Sequence, residues 1–481
     1  MEKYPNINIL LNLPRDYIPK AEFVLRTYCY ILRLSPKFIY GNHFEAAHIY
    51  YGESTDQDYP LRIHFEPTAA DFFESDQLYP LEKVNFCRFK EDWVPFLFSL
   101  GGGIFSFTPD ACILRKDIIA SGFYFLTCWH EYVFSLRGLE GGRVDYKESL
   151  QARWDFTELP VVDVYTNILH HVMRDYLPEF VRNTAWRENH PFALSLSHDI
   201  DYWDFWDEAT QKSTLDYNLK SFRQRPLRSI YKIAGHLLHK KLCKGHKEQI
   251  ARLLRKEREL GQRSTWFILA KSDFEDKRQN YIQDLAVQVK LSLQLGAEEI
   301  GLHGSAEAAF DIAVLKREMQ VLQELGISVK GFRTHHLHFD YQKSFSILEE
   351  AGIEYDSTLG YWEHIGFRAG TSYPFYPFNI RENRPFRVLE IPLIVMDTTL
   401  HSAKAMGLSP LGGRRTLKRL LKVAENYQSH ISILWHNNTF DPIDYPGWGA
   451  LYWWLIRRAL KKDAWVCTLR DVWEEWVSIS Y

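Results

Sequence analysis

Four short motifs in the 481-residue chain end in side chains able to hold a cation or move a proton. The first is Ser197-His198-Asp199-Ile200-Asp201, directly after the apolar run Phe192–Leu196. If the chain stays extended through Ile200, residues two apart share a face, so Asp199 and Asp201 point together. Adjacent carboxylates repel unless a cation or proton lies between them, so this spacing offers a metal held by one and a base in the other. An Asx turn or a helix N-cap is the plain alternative. In the second motif, Glu299–Ser305, His303 ends an apolar run, as a ligand or as a core histidine. The third, Gly331–His338, carries Arg333, His335, His336 and His338; alternation would put Arg333 and His335 on one face, His336 and His338 on the other. The fourth, Ile431–Asn438, delivers His436 beside an amide-rich loop, while Asp356, Glu390 and Asp397 lie in or after further apolar runs.

These motifs need a scaffold that gathers them. From residue 191 the apolar runs FALSLS, STWFIL, EEIGLH, VKGFR, IEYDS, RVLEIPLIVMD, ISILWH and AWVCTL mostly alternate with helical stretches. One of these, 307–326, places Ile312, Leu315, Met319, Leu322 and Leu325 on one face and ends at Gly326, a C-cap. Strands alternating with amphipathic helices predict an α/β fold with a parallel sheet, here a distorted (β/α) barrel whose chemistry collects at the C-terminal strand ends. Residues 1–155 predict a smaller N-terminal α/β domain, with 156–190 a connecting helix and 191–481 the barrel. Gly101-Gly102-Gly103 lacks the spacing of a nucleotide-binding loop and predicts a tight turn.

The composition is that of a globular protein: 46% of residues are hydrophobic and 25% charged, enough for a large core. A net charge of −3 excludes a general electrostatic preference for nucleic acid or membrane. The segment at about 204–262 departs from this. Its stretch 211–260 holds 14 Lys/Arg and 4 Asp/Glu, which predicts a basic helical insertion, solvated or able to touch an anionic glycan or membrane surface peripherally. Six scattered cysteines without a CxxC pair argue against a thiolate zinc site or a disulfide framework. No signal-peptide pattern and no apolar stretch of membrane-spanning length is visible, so a soluble cytoplasmic protein is expected.

Taken in order, the motifs over about 191–475 resemble the polysaccharide deacetylase family, metal-dependent carbohydrate esterases related to chitin and peptidoglycan N-deacetylases. HDID is similar to the family's aspartate pair, EIGLHGS to its histidine motif, GFRTHH to the motif whose arginine orients the base, and LWHN to the last motif. The resemblance implies Asp199 as catalytic base, Asp201 and His303 as metal ligands, Arg333 as the orienting arginine and His436 as general acid. It departs at position 307, where Glu307 stands in place of a second histidine. Either Glu307 or His335 completes the ligands, or the site is degraded; His335 is favoured. The expected cofactor is a divalent metal, zinc with cobalt or nickel as alternatives, and the expected substrate is an acetylated amino sugar, glycan or sugar precursor. Asp397 is the expected carboxylate behind His436, and Tyr202, Trp203, Tyr361, Trp362 and Trp435 are candidates for stacking on sugar faces. Two rivals remain: a glycan-binding protein whose metal site has lapsed, and a metal-free glycosidase using Asp199 or Asp201 with Glu390. The N-terminal 155 residues are similar to the α/β domain that precedes a bacterial subgroup of such deacetylases.

Overall fold

The structure, a computed structural model, describes residues 4–480 apart from 54, 56, 100, 139–143, 182–185, 204–228, 231, 236–248, 272–280 and 284–298. Most of the basic segment therefore lies outside the described residues. Within it a helix is present at Gln249–Glu259, in keeping with the expected helical character. No helix among the described residues is long and apolar enough to cross a membrane.

The N-terminal part is built on a six-stranded sheet: β1 (Asn6–Asn12), β2 (Ser35–Tyr40), β3 (Ile49–Gly52), β4 (Leu61–His64), β5 (Phe105–Phe107) and β6 (Cys112–Leu114), in the order β2-β1-β3-β4-β6-β5. All neighbours are parallel except β5 and β6. Helices α1 (Ile18–Ile31) and α2 (Ile118–Leu126) pack together, with almost every residue of α2 apolar and all of them buried. Gly102, at φ +87°, makes the expected exposed turn. The connecting helix is α3 (Val161–Tyr176), stopped ahead of Pro178, which cannot continue it.

The second sheet has nine strands: β7 (Ala193–Ile200), β8 (Thr265–Leu269), β9 (Glu299–Gly304), β10 (Gly331–Thr334), β11 (Tyr355–Asp356), β12 (Leu389–Glu390), β13 (Val395–Met396), β14 (His430–Leu434) and β15 (Trp465–Cys467). Their order is β12-β11-β10-β9-β8-β7-β14-β13, with β15 also beside β7, and every pairing is parallel. The alternating runs of the sequence thus become strands covered on both faces; all eight residues of β7 are buried. The run expected as one strand at 387–397 instead supplies both edges. Ile391 N donates to Asp356 O and Ile394 N to Ser432 O, so 391–394 links the two edges of a parallel half-barrel sheet, consistent with a distorted barrel.

Helix Ile312–Glu324 begins later than its periodicity indicates, because the Asp311 side chain caps the Ala313 and Val314 amides. It buries Val314, Leu315, Met319 and Leu322, and Gly326 at φ +79° follows its end as expected. The two sheets are joined through buried polar contacts. Asp163 of α3 accepts from Thr371 Oγ1 at 2.7 Å, Ser372 N at 3.2 Å and Ser429 Oγ at 3.2 Å, and Arg368 makes a two-pronged pair with Glu131 at 2.8 and 2.6 Å. Burial pushes the Asp163 carboxyl up to about 7 against the pull of these donors.

Candidate active site

The C-terminal ends of β7, β9, β10, β13 and β14 surround a cavity of about 570 Å³ that holds Asp199, Asp201, His303, His335 and His436. This is the rim at which barrel strands deliver their terminal side chains. β7 stays extended to Ile200, so both aspartates reach the same cavity as their spacing implies.

Asp201, His303 and His335 offer ligand atoms that all lie within 4.8 Å of one another. His303 Nε2 is 3.4 Å and His335 Nε2 3.9 Å from Asp201 Oδ1. The other nitrogen of His303, Nδ1, lies 3.0 Å from the Arg333 carbonyl oxygen. A carbonyl can only accept, so Nδ1 carries a proton, and in the neutral ring this leaves the Nε2 lone pair towards Asp201, the arrangement typical of a metal-bound imidazole. Asp201 Oδ1 is buried and has no hydrogen-bond donor among the described residues. Burial alone would raise this carboxyl, but His303, His436 and His335 around it hold it well below the usual carboxylate range. A buried carboxylate oxygen facing two imidazole nitrogens fits a divalent cation.

Asp199 is fixed by β10. The Arg333 guanidinium, wholly buried, donates to Asp199 Oδ1 at 3.0 Å, Ser197 Oγ at 2.8 Å, Ser357 O at 2.8 Å and Ser357 Oγ at 3.0 Å. Its carbon lies 4.4 Å from the centre of the Phe267 ring. That ring needs the space beside Gly301, where a Cβ would come within 2.6 Å of it. Asp199 Oδ2 points away from the arginine, 3.7 Å from His303 Nε2.

On the opposite wall His436 Nδ1 is 2.6 Å from Asp397 Oδ1, and the His436 amide donates to Asp397 Oδ2 at 2.8 Å. Burial disfavours the imidazolium, but the Asp397 charge and hydrogen bond outweigh it and, with Asp201 and Asp199, push His436 up to about 10. Its Nε2 lies 3.9 Å from Asp201 Oδ2. Beneath these groups His198 Nε2 meets Glu257 Oε1 at 3.0 Å, and the ring's other nitrogen meets the carbonyl of Trp435, tying β7 to β14 just below Asp199 and His436.

Other candidates lie elsewhere. Glu307 is exposed and pairs with Lys271 at 3.5 Å, outside the ligand group. Glu390 and Asp356 are buried together on paired strands and do not line the cavity; burial and Asp356 push the Glu390 carboxyl well up. The aromatic assignments need correction. Trp435 is fully buried between Trp448 and Tyr452, Trp203 packs on Tyr281, and Tyr361 packs on Tyr146; each ring is consumed by the interior and is not available for stacking. Tyr202 is absent from the cavity lining, which holds Trp362. The alternation expected after Arg333 also fails. The strand ends at Thr334 and His336 turns into the left-handed region at φ +61°, bringing His335, His336 and His338 to one cavity. Ser357 and Lys404 carried no motif and were missed; only the position of Ser357 after a strand could have flagged it.

Residues 9–178, under half of the chain, match the model of a family of unknown function, DUF7033. No curated protein matches the chain. Among solved structures it is similar to a Mycobacterium smegmatis protein described as a polysaccharide deacetylase, at 17% identity and TM-score 0.41, over 61% of this chain and 93% of that one. It is also similar to Agd3, described as a carbohydrate deacetylase, at 8% identity and TM-score 0.34, over 99% of this chain and 88% of that one. These two structures are thus described as deacetylases, and likenesses this distant transfer no residue roles.

Proposed function

We propose that the chain is a metal-dependent hydrolase that removes an N-acetyl group from an amino sugar or glycan, with 191–481 as its catalytic barrel, 156–190 as a link and 1–155 as a separate α/β domain. The observation that carries this reading is the convergence of Asp201, His303 and His335 between a positioned carboxylate, Asp199, and a carboxylate-backed imidazole, His436.

Asp201, His303 and His335 would hold the cation, zinc or in its place cobalt or nickel. Such an ion supplies an acidified water and polarises the acetyl carbonyl. Arg333 anchors Oδ1 of Asp199, which leaves Oδ2 to take the proton of the attacking water. His436, held at Nδ1 by Asp397, gives a proton from Nε2 to the departing amine as the carbon–nitrogen bond breaks, leaving acetate and a free amino sugar. Leu337, Met396, Leu434 and Trp362 form an apolar wall suited to the acetyl methyl.

The test is metal analysis of purified protein reconstituted with zinc, cobalt or nickel, paired with acetate release from acetamido sugars. Stoichiometric metal that disappears in His303→Ala, with acetate release that a chelator stops, is the expected result. Failure to take up metal would make the chain a glycan binder. Release of reducing sugar that survives chelation would favour a glycosidase, although its required acid Glu390 is away from the cavity.

A further inference from the structure

The cavity wall carries a charge that the hydrolysis above leaves unused. Among the described lining residues, the two carboxylates sit at the floor and are committed, Asp199 to Arg333 and Asp201 to the ligand cluster. Above them stand His336, His338, Trp362 and Lys404, and Lys404 is the one lysine or arginine on the lining. Among the described residues no hydrogen bond or ion pair engages the Lys404 ammonium, whereas other lysines, such as Lys232 with Asp444 at 2.8 Å and Lys462 with Glu425, are matched to carboxylates. Nor does Lys404 sit on a loose tail. Its amide donates to Ser402 Oγ at 3.3 Å, and the surrounding turn is tied by Met406 N to Thr399 O at 3.1 Å, Gly407 N to Ser402 O at 2.8 Å and Leu408 N to Leu400 O at 2.8 Å. The turn follows the short helix Asp397–His401, so its placement is continuous with the carboxylate behind His436.

We infer that the cavity selects an acetamido sugar that carries a negative charge, a phosphate or a carboxylate, with Lys404 as its counter-ion. This rests on the hydrolase reading for the acetamido group and on Lys404 alone for the charge. Lys404, exposed at the cavity wall, meets an anion as a compact point charge and suits either anion. A neutral glycan would leave that ammonium to water and gain nothing from its position.

The experiment compares N-acetylglucosamine, N-acetylglucosamine 6-phosphate and N-acetylmuramic acid, as neutral, phosphate and carboxylate probes, on the full chain. Binding is measured by calorimetry with and without metal, and acetate release alongside. A charged probe is expected to bind about 10-fold to 100-fold more tightly than the neutral one, as a charge-assisted contact implies. That ratio should shrink with salt, collapse towards one in Lys404→Ala, and be largely restored in Lys404→Arg. Whichever of the two anions gains more identifies the source of the charge. Equal binding of all three, or a preference for charge that persists in Lys404→Ala and so belongs to the metal, overturns the inference. If no probe releases acetate yet the Lys404-dependent preference remains, the anion subsite stands and the hydrolase reading fails instead.

Discussion

Asp117 in the N-terminal part and Asp201 at the barrel mouth are both carboxylates taken largely out of water, and they are treated in opposite ways. Asp117 accepts from Ala120 N at 2.8 Å, Glu66 N at 2.9 Å and Tyr51 Oη at 2.9 Å, so both of its oxygens are served by the fold. Asp201 Oδ1 has no hydrogen-bond partner among the described residues, and the Nε2 atoms of His303 and His335 face it at 3.4 and 3.9 Å. A buried carboxylate is therefore no mark of function by itself. What separates the two is whether the protein completes the partner set or leaves a position for something it must acquire.

The largest effect should come from removing the unfinished partner set. Asp201→Asn is expected to lose stoichiometric metal and all measurable acetate release while its circular dichroism is unchanged; full metal content in the variant would erase the contrast with Asp117. Asp199→Asn separates ligand from base, and should retain metal yet lower kcat by about 10²- to 10⁴-fold. Asp397→Asn removes the charge that pushes His436 up to about 10. An acid must be protonated to act, so activity falls as pH rises through its pKa. The alkaline limb near pH 10 should move to lower pH in Asp397→Asn, and an unmoved limb would take the acid role from His436.

Smaller effects belong to the completed partner set. Burial pushes the Asp117 carboxyl up to about 7, above the ~3.9 of an unfolded aspartate. The folded state then holds the proton more tightly, so this contribution is full below about pH 4 and is lost as pH rises through 7. Asp117→Asn should cost about 1–3 kcal/mol at the acid end, with its urea midpoint converging on the parent above pH 7, and metal content unaltered throughout. Smallest of all, Glu307→Gln should keep full metal content and change stability by no more than about 0.5 kcal/mol, as expected of an exposed side chain; metal loss there would displace His335 as third ligand.

Much of this arrangement is legible in the residues because parallel strands covered on both faces appear as uninterrupted apolar runs, and because Asp199 and Asp201 keep strand periodicity to their ends. The remainder depends on events that local pattern does not encode. Nothing in GFRTHHLH announces that His336 turns left-handed and carries three histidines to one side. An aromatic at a strand end does not declare which face it takes, so the sequence offers Trp435 for the rim although Trp448 and Tyr452, from a later helix, enclose it. Lys404 belongs to a turn whose place is set by tertiary contacts. RVLEIPLIVMD reads as one strand, yet Pro392 lacks an amide to continue a ladder and the run divides between two edges.

The bridge at 391–394 has a mechanical consequence. The clasp that links the sheet's two edges runs on to Met396, and the next residue is the carboxylate that braces His436. Losing a single residue from the clasp would shift one rim by a pleat, turn Asp397 away from its imidazole and unlatch the wall carrying Lys404. The seating of the two edge strands and the bracing of His436 by Asp397 are thus one requirement, and a misregistered edge would disturb that pair before the chain unfolds.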